Sequence, residues 1–418
     1  MKQSTLFYNI SLLIQVRSGD AAPLTHHDFN EVPFIKDAFL IANSLGKISA
    51  FGEMKDLPFD FEGKRIDVGG RVLMPTWVDS HTHLVFAGSR ETEFEARIQG
   101  LSYEEIAKRG GGILNSAKKL HETSEDQLFI DAKSRLHEVI MMGTGAIEIK
   151  SGYGLSFDDE LKMLKVIRRL KEISPIPIKA TFLGAHTYPA DFKNDHSGYI
   201  DLIINQLLPK IAEEKLADYC DVFCEKVAFS AEEMDIILEK ARQHGLKAKI
   251  HTNQFNSIGG IEVALKHKAI SVDHLEVFND DEVALLSSSK GSTIVTLLPS
   301  APFFLNDHYP KAQTLINNNI PIALATDYNP GSSPSGKMAF VLSLACIKMK
   351  MTPEQAFNAA TINAAAALEL SDELGSIAIG KNASFIIAKP AVKSLAYLPY
   401  CFGNNWIDEV YINAKKYD

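Results

Sequence analysis

Between about residue 75 and residue 330 the chain repeats one alternation, a short apolar, β-branched run followed by a longer polar and amphipathic stretch. The runs end near His83 ("TWVDSHTH"), Lys150 ("GAIEIK"), Leu183 ("IKATFL"), Phe223 ("YCDVF"), His251 ("KAKIH"), His274 ("AISVDH"), Leu298 ("STIVTLL") and Asp327 ("IPIALATD"). Strands that are apolar along their whole length are buried on both faces, as in parallel sheets. Helix signals fill the gaps. "LSYEEIAKR" carries a capping box, Ser102 to Glu105, with Leu101 and Ile106 placed as a hydrophobic staple, and "MTPEQAF" offers Thr352 as N-cap with Pro353 in the first turn. Eight such units predict an α/β fold, a (β/α)8 TIM-type barrel with insertions.

The two ends of the chain read differently. Residues 1–70 and 375–418 are short strands and turns, as in "FLIANSLGKISAFGEM" and "GSIAIGKNASFII". We expect them to pair into a small β-sandwich domain (1–70 plus 375–418) beside a barrel domain over 71–374. "MKQSTLFYNISLLIQV" reads as a first strand and not a signal peptide, because polar residues interrupt it and no small-residue cleavage site follows. No apolar run is long enough to span a bilayer, and the expected compartment is the cytoplasm. A net charge of -9 disfavours nucleic acid and anionic lipid as partners. The four cysteines provide no disulfide framework, and Cys220 and Cys224 read as buried free thiols.

Active sites of such barrels lie at the C-terminal ends of the strands. There the pattern collects His81, His83, His251, His274 and Asp327. Residues i and i+2 of a strand point to the same side, so His81 and His83 can face the interior together. His251 and Asp327, from distant strands, complete a set of three nitrogens and one oxygen that suits Zn2+ or Fe2+/Fe3+. Buried histidine and aspartate destabilise a core unless they are paired or ligated, so four of them at matching strand ends point to a metal. Glu148 and Lys150, two apart, share a face and read as an internal ion pair without a catalytic role. "RGGGI", from Arg109, reads as a helix C-cap.

The pattern resembles the amidohydrolase superfamily in "VDSHTH", "KIH", "SVDHLE" and "ATDYNPG". The strand that would supply a bridging lysine in two-metal members reads "DVFCE", so one metal ion per chain is expected. "HTHLVFAGSRETEFEARIQGLSYEEIAKRGGGI", "EIKSGYGL", "GAHTYP" and "TDYNPGSSP" narrow the similarity to the imidazolonepropionases. These open 4-imidazolone-5-propanoate to N-formimidoyl-L-glutamate in histidine degradation, by attack of metal-activated water on the ring amide carbonyl. The resemblance implies metal ligands His81, His83, His251 and Asp327. It implies substrate contacts at Arg90, Tyr153, His186, Gln254, Asn329, Gly331 and Ser332, and a homodimer. A propionate tail calls for a bidentate cation, which suits Arg90 on the loop after the metal histidines. The alternative for Arg90 is an ion pair with Glu91, Glu93 or Glu95. Tyr103 and Tyr153 are further candidates for stacking on the ring or donating to it.

Asp327 and His274 are both candidates to protonate the leaving nitrogen, and His274 also to stabilise the oxyanion. Gln254 stands where related single-metal deaminases carry a glutamate shuttle. An amide orients a ring nitrogen but moves no proton at neutral pH, which argues against the rival reading as a heterocycle deaminase. Ser384 replaces the aspartate usual in the superfamily and is expected to matter only to the small sheet.

Overall fold

The computed structural model describes residues 3–18, 23–101 and 111–418. Tyr103 and the capping box at Ser102 lie outside the described residues. Two eight-stranded sheets organise the chain.

The first sheet is the barrel. Its strands are Trp77–Asp79, Thr144–Lys150, Ile178–Ala185, Tyr219–Cys224, Lys247–Thr252, Ser271–His274, Ile294–Leu297 and Ile322–Leu324. We number them β1 to β8, and each pairs in parallel with the next. Their residues are almost all buried, as expected of strands covered by helices outside and filled by side chains inside. The helices carry the capping chemistry their sequences supply. Ser230 with Glu233, Asn279 with Glu282, and Thr352 with Gln355 each form a complete capping box.

The seam between β1 and β8 closes beyond the strand ends. The Asp327 amide donates to the His81 carbonyl (3.0 Å) and the His83 amide to the Tyr328 carbonyl (2.9 Å). Asp79 accepts from the amide (3.0 Å) and hydroxyl (2.6 Å) of Thr326. The segments that close the barrel therefore carry His81, His83 and Asp327.

The second sheet gathers strands from both chain ends, with Thr5–Ile14 at its centre and Phe385–Ala388 paired to Val72–Pro75. It has its own core, where Phe7, Phe385 and Tyr411 pack with ring centroids 4.8–5.1 Å apart. Ser384 accepts from the Asn413 amide at 3.1 Å in this sheet. Trp77, at the foot of β1, packs edge-on against Phe357 of the barrel and Trp406 near the chain end. Among the described residues no helix is long and apolar enough to cross a membrane. Cys220 and Cys224 are buried free thiols, and burial raises the pKa of both. Gly110 and the helix that the glycine run is expected to cap lie outside the described residues. Gly112, at φ +85°, is the N-cap of the helix Ile113–Glu122.

Candidate active site

His81 and His83 lie just past β1, where a parallel bridge of Thr82 to Tyr328 keeps the chain extended. Extension preserves the period of two. The Thr82 hydroxyl points back to the Glu148 carbonyl (2.6 Å), while both imidazoles turn to the barrel axis with centroids 5.4 Å apart. His251, on β5, brings its ring to 4.4 Å from His81 and 5.5 Å from His83. Asp327, three residues past β8, places Oδ1 3.6 Å from Nε2 of both His81 and His83. All four side chains are buried.

The rings of His81 and His251 are fixed from behind. His81 Nδ1 lies 2.7 Å from Asp273 Oδ2, and His251 Nδ1 lies 2.7 Å from Asp221 Oδ2. A carboxylate on Nδ1 holds the proton there and leaves the Nε2 lone pair facing inward. His81 Nε2 and His251 Nε2 are buried without a hydrogen-bond partner among the described residues. Burial, reinforced by neighbouring cationic groups, holds the pKa values of His81, His83 and His251 well below the usual histidine value. Neutral rings with unpartnered inward nitrogens beside a carboxylate form a donor set that fits a divalent cation. His81, His83 and Asp327 form one compact ligand group, and His81, His251 and His274 form a second that overlaps it.

His274 ends β6 at φ +87° and Asp327 sits at φ +54°. Such backbone conformations are unfavourable for residues with a side chain and concentrate at functional sites. The His274 ring lies 5.4 Å from that of His251, and its Nδ1 is 3.4 Å from Glu276 Oε1. Burial pushes the His274 pKa down, but Glu276, Asp327 and Asp273 outweigh it and raise the value to about 9. Burial raises the Asp327 carboxyl to about 6, against the opposing pull of His274 and hydrogen bonds from Asn329 and Ser332.

Around this centre the structure gathers most of the expected substrate residues. His186 stacks on His83 with centroids 5.5 Å apart, and Tyr153 lies 5.6 Å from His186 and 5.8 Å from His83. The His186 Nδ1–H donates to the Gly152 carbonyl at 3.0 Å, and burial lowers its pKa to about 4. Gly152 has φ +108°, and a Cβ there would sit 2.9 Å from His186 Nδ1, so only glycine suits that turn. Buried Glu160 accepts from the amides of Gly152, Gly154 and Leu155 and so shapes the loop that presents Tyr153. Gln254 is half-buried on the loop after β5.

Asn329 folds the loop after β8 on itself. Its Oδ1 accepts from the amides of Gly331 (2.7 Å) and Ser332 (2.8 Å), while the Ser332 hydroxyl donates to Asp327 Oδ2 at 3.2 Å. Arg90 forms one of the ion pairs considered as its alternative. Its Nε and Nη2 donate to Glu93 Oε2 at 2.9 and 2.5 Å. The pair is buried, with side chains 8% and 7% exposed, and Nη1 faces the Gly331 backbone, where a Cβ would come within 2.2 Å. Burial alone would raise the Glu93 carboxyl, but the Arg90 pairing and the Gly112 amide hold it below its usual value.

Several functional groups were not anticipated from the sequence. Asp221 and Asp273 stand inside the quoted motifs "DVFCE" and "SVDHLE", yet nothing local marks them as partners of the histidines. Glu93, Glu160 and Glu276 likewise act on site residues only through tertiary contact. The Glu148–Lys150 pair is present at 2.8 Å, as expected, but it also reaches Asp221 and Asp273.

The amidohydrolase family model matches residues 72–416. The chain is 53% identical over 98% of its length to the imidazolonepropionase of Christiangramia forsetii, covering 99% of that protein. The chain belongs to the imidazolonepropionase family of the amidohydrolases. The corresponding protein of Flavobacterium johnsoniae is also 53% identical, with 98% and 99% of the two chains covered. That of Thermoanaerobacter pseudethanolicus is 40% identical, over 98% and 97%. Among solved structures, a zinc-bound adenosine deaminase from Xanthomonas campestris superposes with a TM-score of 0.72 at 15% identity, covering 99% of this chain and 92% of that one. Guanine deaminase from E. coli gives 0.72 at 15%, covering 99% and 98%. At that identity the likeness concerns the fold, a barrel with a sheet built from the chain ends. The family is metal-dependent, and this member is a hydrolase with a His/Asp group able to hold a metal.

Proposed function

We propose that the chain hydrolyses 4-imidazolone-5-propanoate to N-formimidoyl-L-glutamate, using one Zn2+ or iron ion held by His81, His83, His251 and Asp327. The observation that carries the reading is the buried donor set. Two unpartnered Nε2 atoms, each aimed by an aspartate on Nδ1, converge with Asp327 in a chain 53% identical to named imidazolonepropionases. The ion, when bound, makes water acidic enough to attack at neutral pH and polarises the attacked carbonyl.

The chain's own residues do the rest. Arg90 pairs with the propionate tail through the guanidinium edge that Glu93 leaves open, beside Gly331. His186 and Tyr153 hold the ring against His83. Gln254 offers an amide to a ring nitrogen and moves no proton. Asn329 holds Asp327 by its carbonyl and Ser332 by its carboxylate, and both line the tail site with Gly331. Asp327, raised toward neutrality, takes the proton of the attacking water. His274, kept protonated by Glu276, donates to the developing oxyanion and is placed to pass a proton to the leaving nitrogen. We take the working form to be a cytoplasmic homodimer.

The test is incubation of purified protein with imidazolone propionate, following loss of its ultraviolet absorbance and identifying the product. Formimidoylglutamate without ammonia is expected. Ammonia release would assign a deaminase instead.

A further inference from the structure

Beneath the histidines lies a layer of five charged side chains, Glu148, Lys150, Asp221, Lys249 and Asp273, every one fully buried. Lys150, at the end of β2, is its hub. Its Nζ lies 2.8 Å from Glu148 Oε1, 2.8 Å from Asp221 Oδ2 and 3.6 Å from Asp273 Oδ2. The two aspartate oxygens are the same atoms that receive His251 Nδ1 and His81 Nδ1. His81 follows the first strand and His251 belongs to the fifth, so no shared backbone ladder sets one against the other. The path from one ring to the other runs His81–Asp273–Lys150–Asp221–His251.

We propose that Lys150 is a positioning residue, a single ammonium seated on both aspartates that keeps His81 and His251 aimed at one cation. The proposal rests on the metal reading of the site above. Charge supports it, since Lys150 is the ammonium that lies against both Asp221 and Asp273. Without Lys150, Asp221 Oδ2 and Asp273 Oδ2 lose the ammonium that touches both, and the link between the partners of the two imidazoles goes with it. An aspartate free to turn no longer holds its imidazole in the orientation that faces the cation. Lys249 is the internal control. It is equally buried, but its Nζ contacts Glu148 Oε2 (2.9 Å) and the Ser80 carbonyl (2.9 Å), with neither aspartate among its partners.

The experiment strips full-length wild type, Lys150→Met and Lys249→Met of metal and measures Zn2+ affinity by competition with a chromogenic chelator. Circular dichroism checks the fold, and Co2+ absorption bands report the ligand geometry. Lys150→Met should weaken Zn2+ binding by about 10- to 100-fold, the range for lost outer partners of metal ligands, and should alter the Co2+ bands. Lys249→Met should do neither. Zn2+ affinity of folded Lys150→Met within about threefold of wild type, or an equal loss in Lys249→Met, overturns the proposal. If Lys150→Met does not fold, Lys150→Gln is judged by the same thresholds. Failure of both to fold assigns Lys150 to the core alone and also overturns it. The metal reading fails separately, if His251→Ala takes up Zn2+ as well as wild type.

Discussion

Replacing Arg90 by alanine should have two effects that the structure allows to be separated. The first is on the fold. Glu93 Oε2 loses both of its guanidinium donors, and the carboxylate, 7% exposed, keeps the Gly112 amide on its other oxygen. Breaking a buried pair from one side costs about 3–5 kcal/mol, because the remaining charge stays desolvated. The second effect is on the substrate, where losing one partner of a desolvated charge pair costs about 2–5 kcal/mol. In kcat/KM that is roughly 30-fold to several thousand-fold. Arg90→Ala combined with Glu93→Gln separates the two, since a neutral amide is left without a buried charge. The assay measures kcat/KM for the natural substrate and for an analogue lacking the carboxylate. Both variants should lose the full factor on the natural substrate and change by less than about threefold on the analogue. Arg90→Lys should also be impaired, because the bidentate fork is gone. Recovery of activity in the double variant would show that Arg90 serves only to neutralise Glu93, and the tail assignment would fail.

His251→Ala should abolish nearly all activity and lower bound metal, which elemental analysis will read; two ions per active chain would refute the single-ion site. Gln254→Ala should lower kcat/KM by about 10- to 100-fold, one or two lost hydrogen bonds, with the pH profile unchanged in shape. Asp327 must be ionised and His274 protonated, so activity should fall below about pH 6 and above about pH 9. Bound cation moves both limbs lower, by favouring the Asp327 carboxylate and disfavouring the His274 imidazolium, and His274→Asn should remove the alkaline limb. Gly331→Ala places a methyl 2.2 Å from Arg90 Nη1. Because Glu93 holds that guanidinium, displacement of about 1 Å should cost about 100-fold in kcat/KM, and a wild-type value would contradict the placement of Arg90.

The sequence by itself determined the barrel and picked out the residues we propose as ligands, because both depend on local pattern. Apolar runs and capping boxes such as Thr352 with Gln355 declare strands and helices within a few residues. His81 and His83 share a side because extended chain has a period of two, and the bridge at Thr82 keeps it extended beyond β1. Tertiary structure alone decided what stands behind those ligands. Asp221 and Lys150 are 71 positions apart, and His81 and Asp273 are 192 apart. They meet only when eight strands close and point alternate residues at one axis. Glu148 and Lys150 were legible as a pair because two positions suffice for that. That Lys150 also bears on two aspartates was not legible, because such contacts depend on the register of strands far apart in the chain, which no local pattern records.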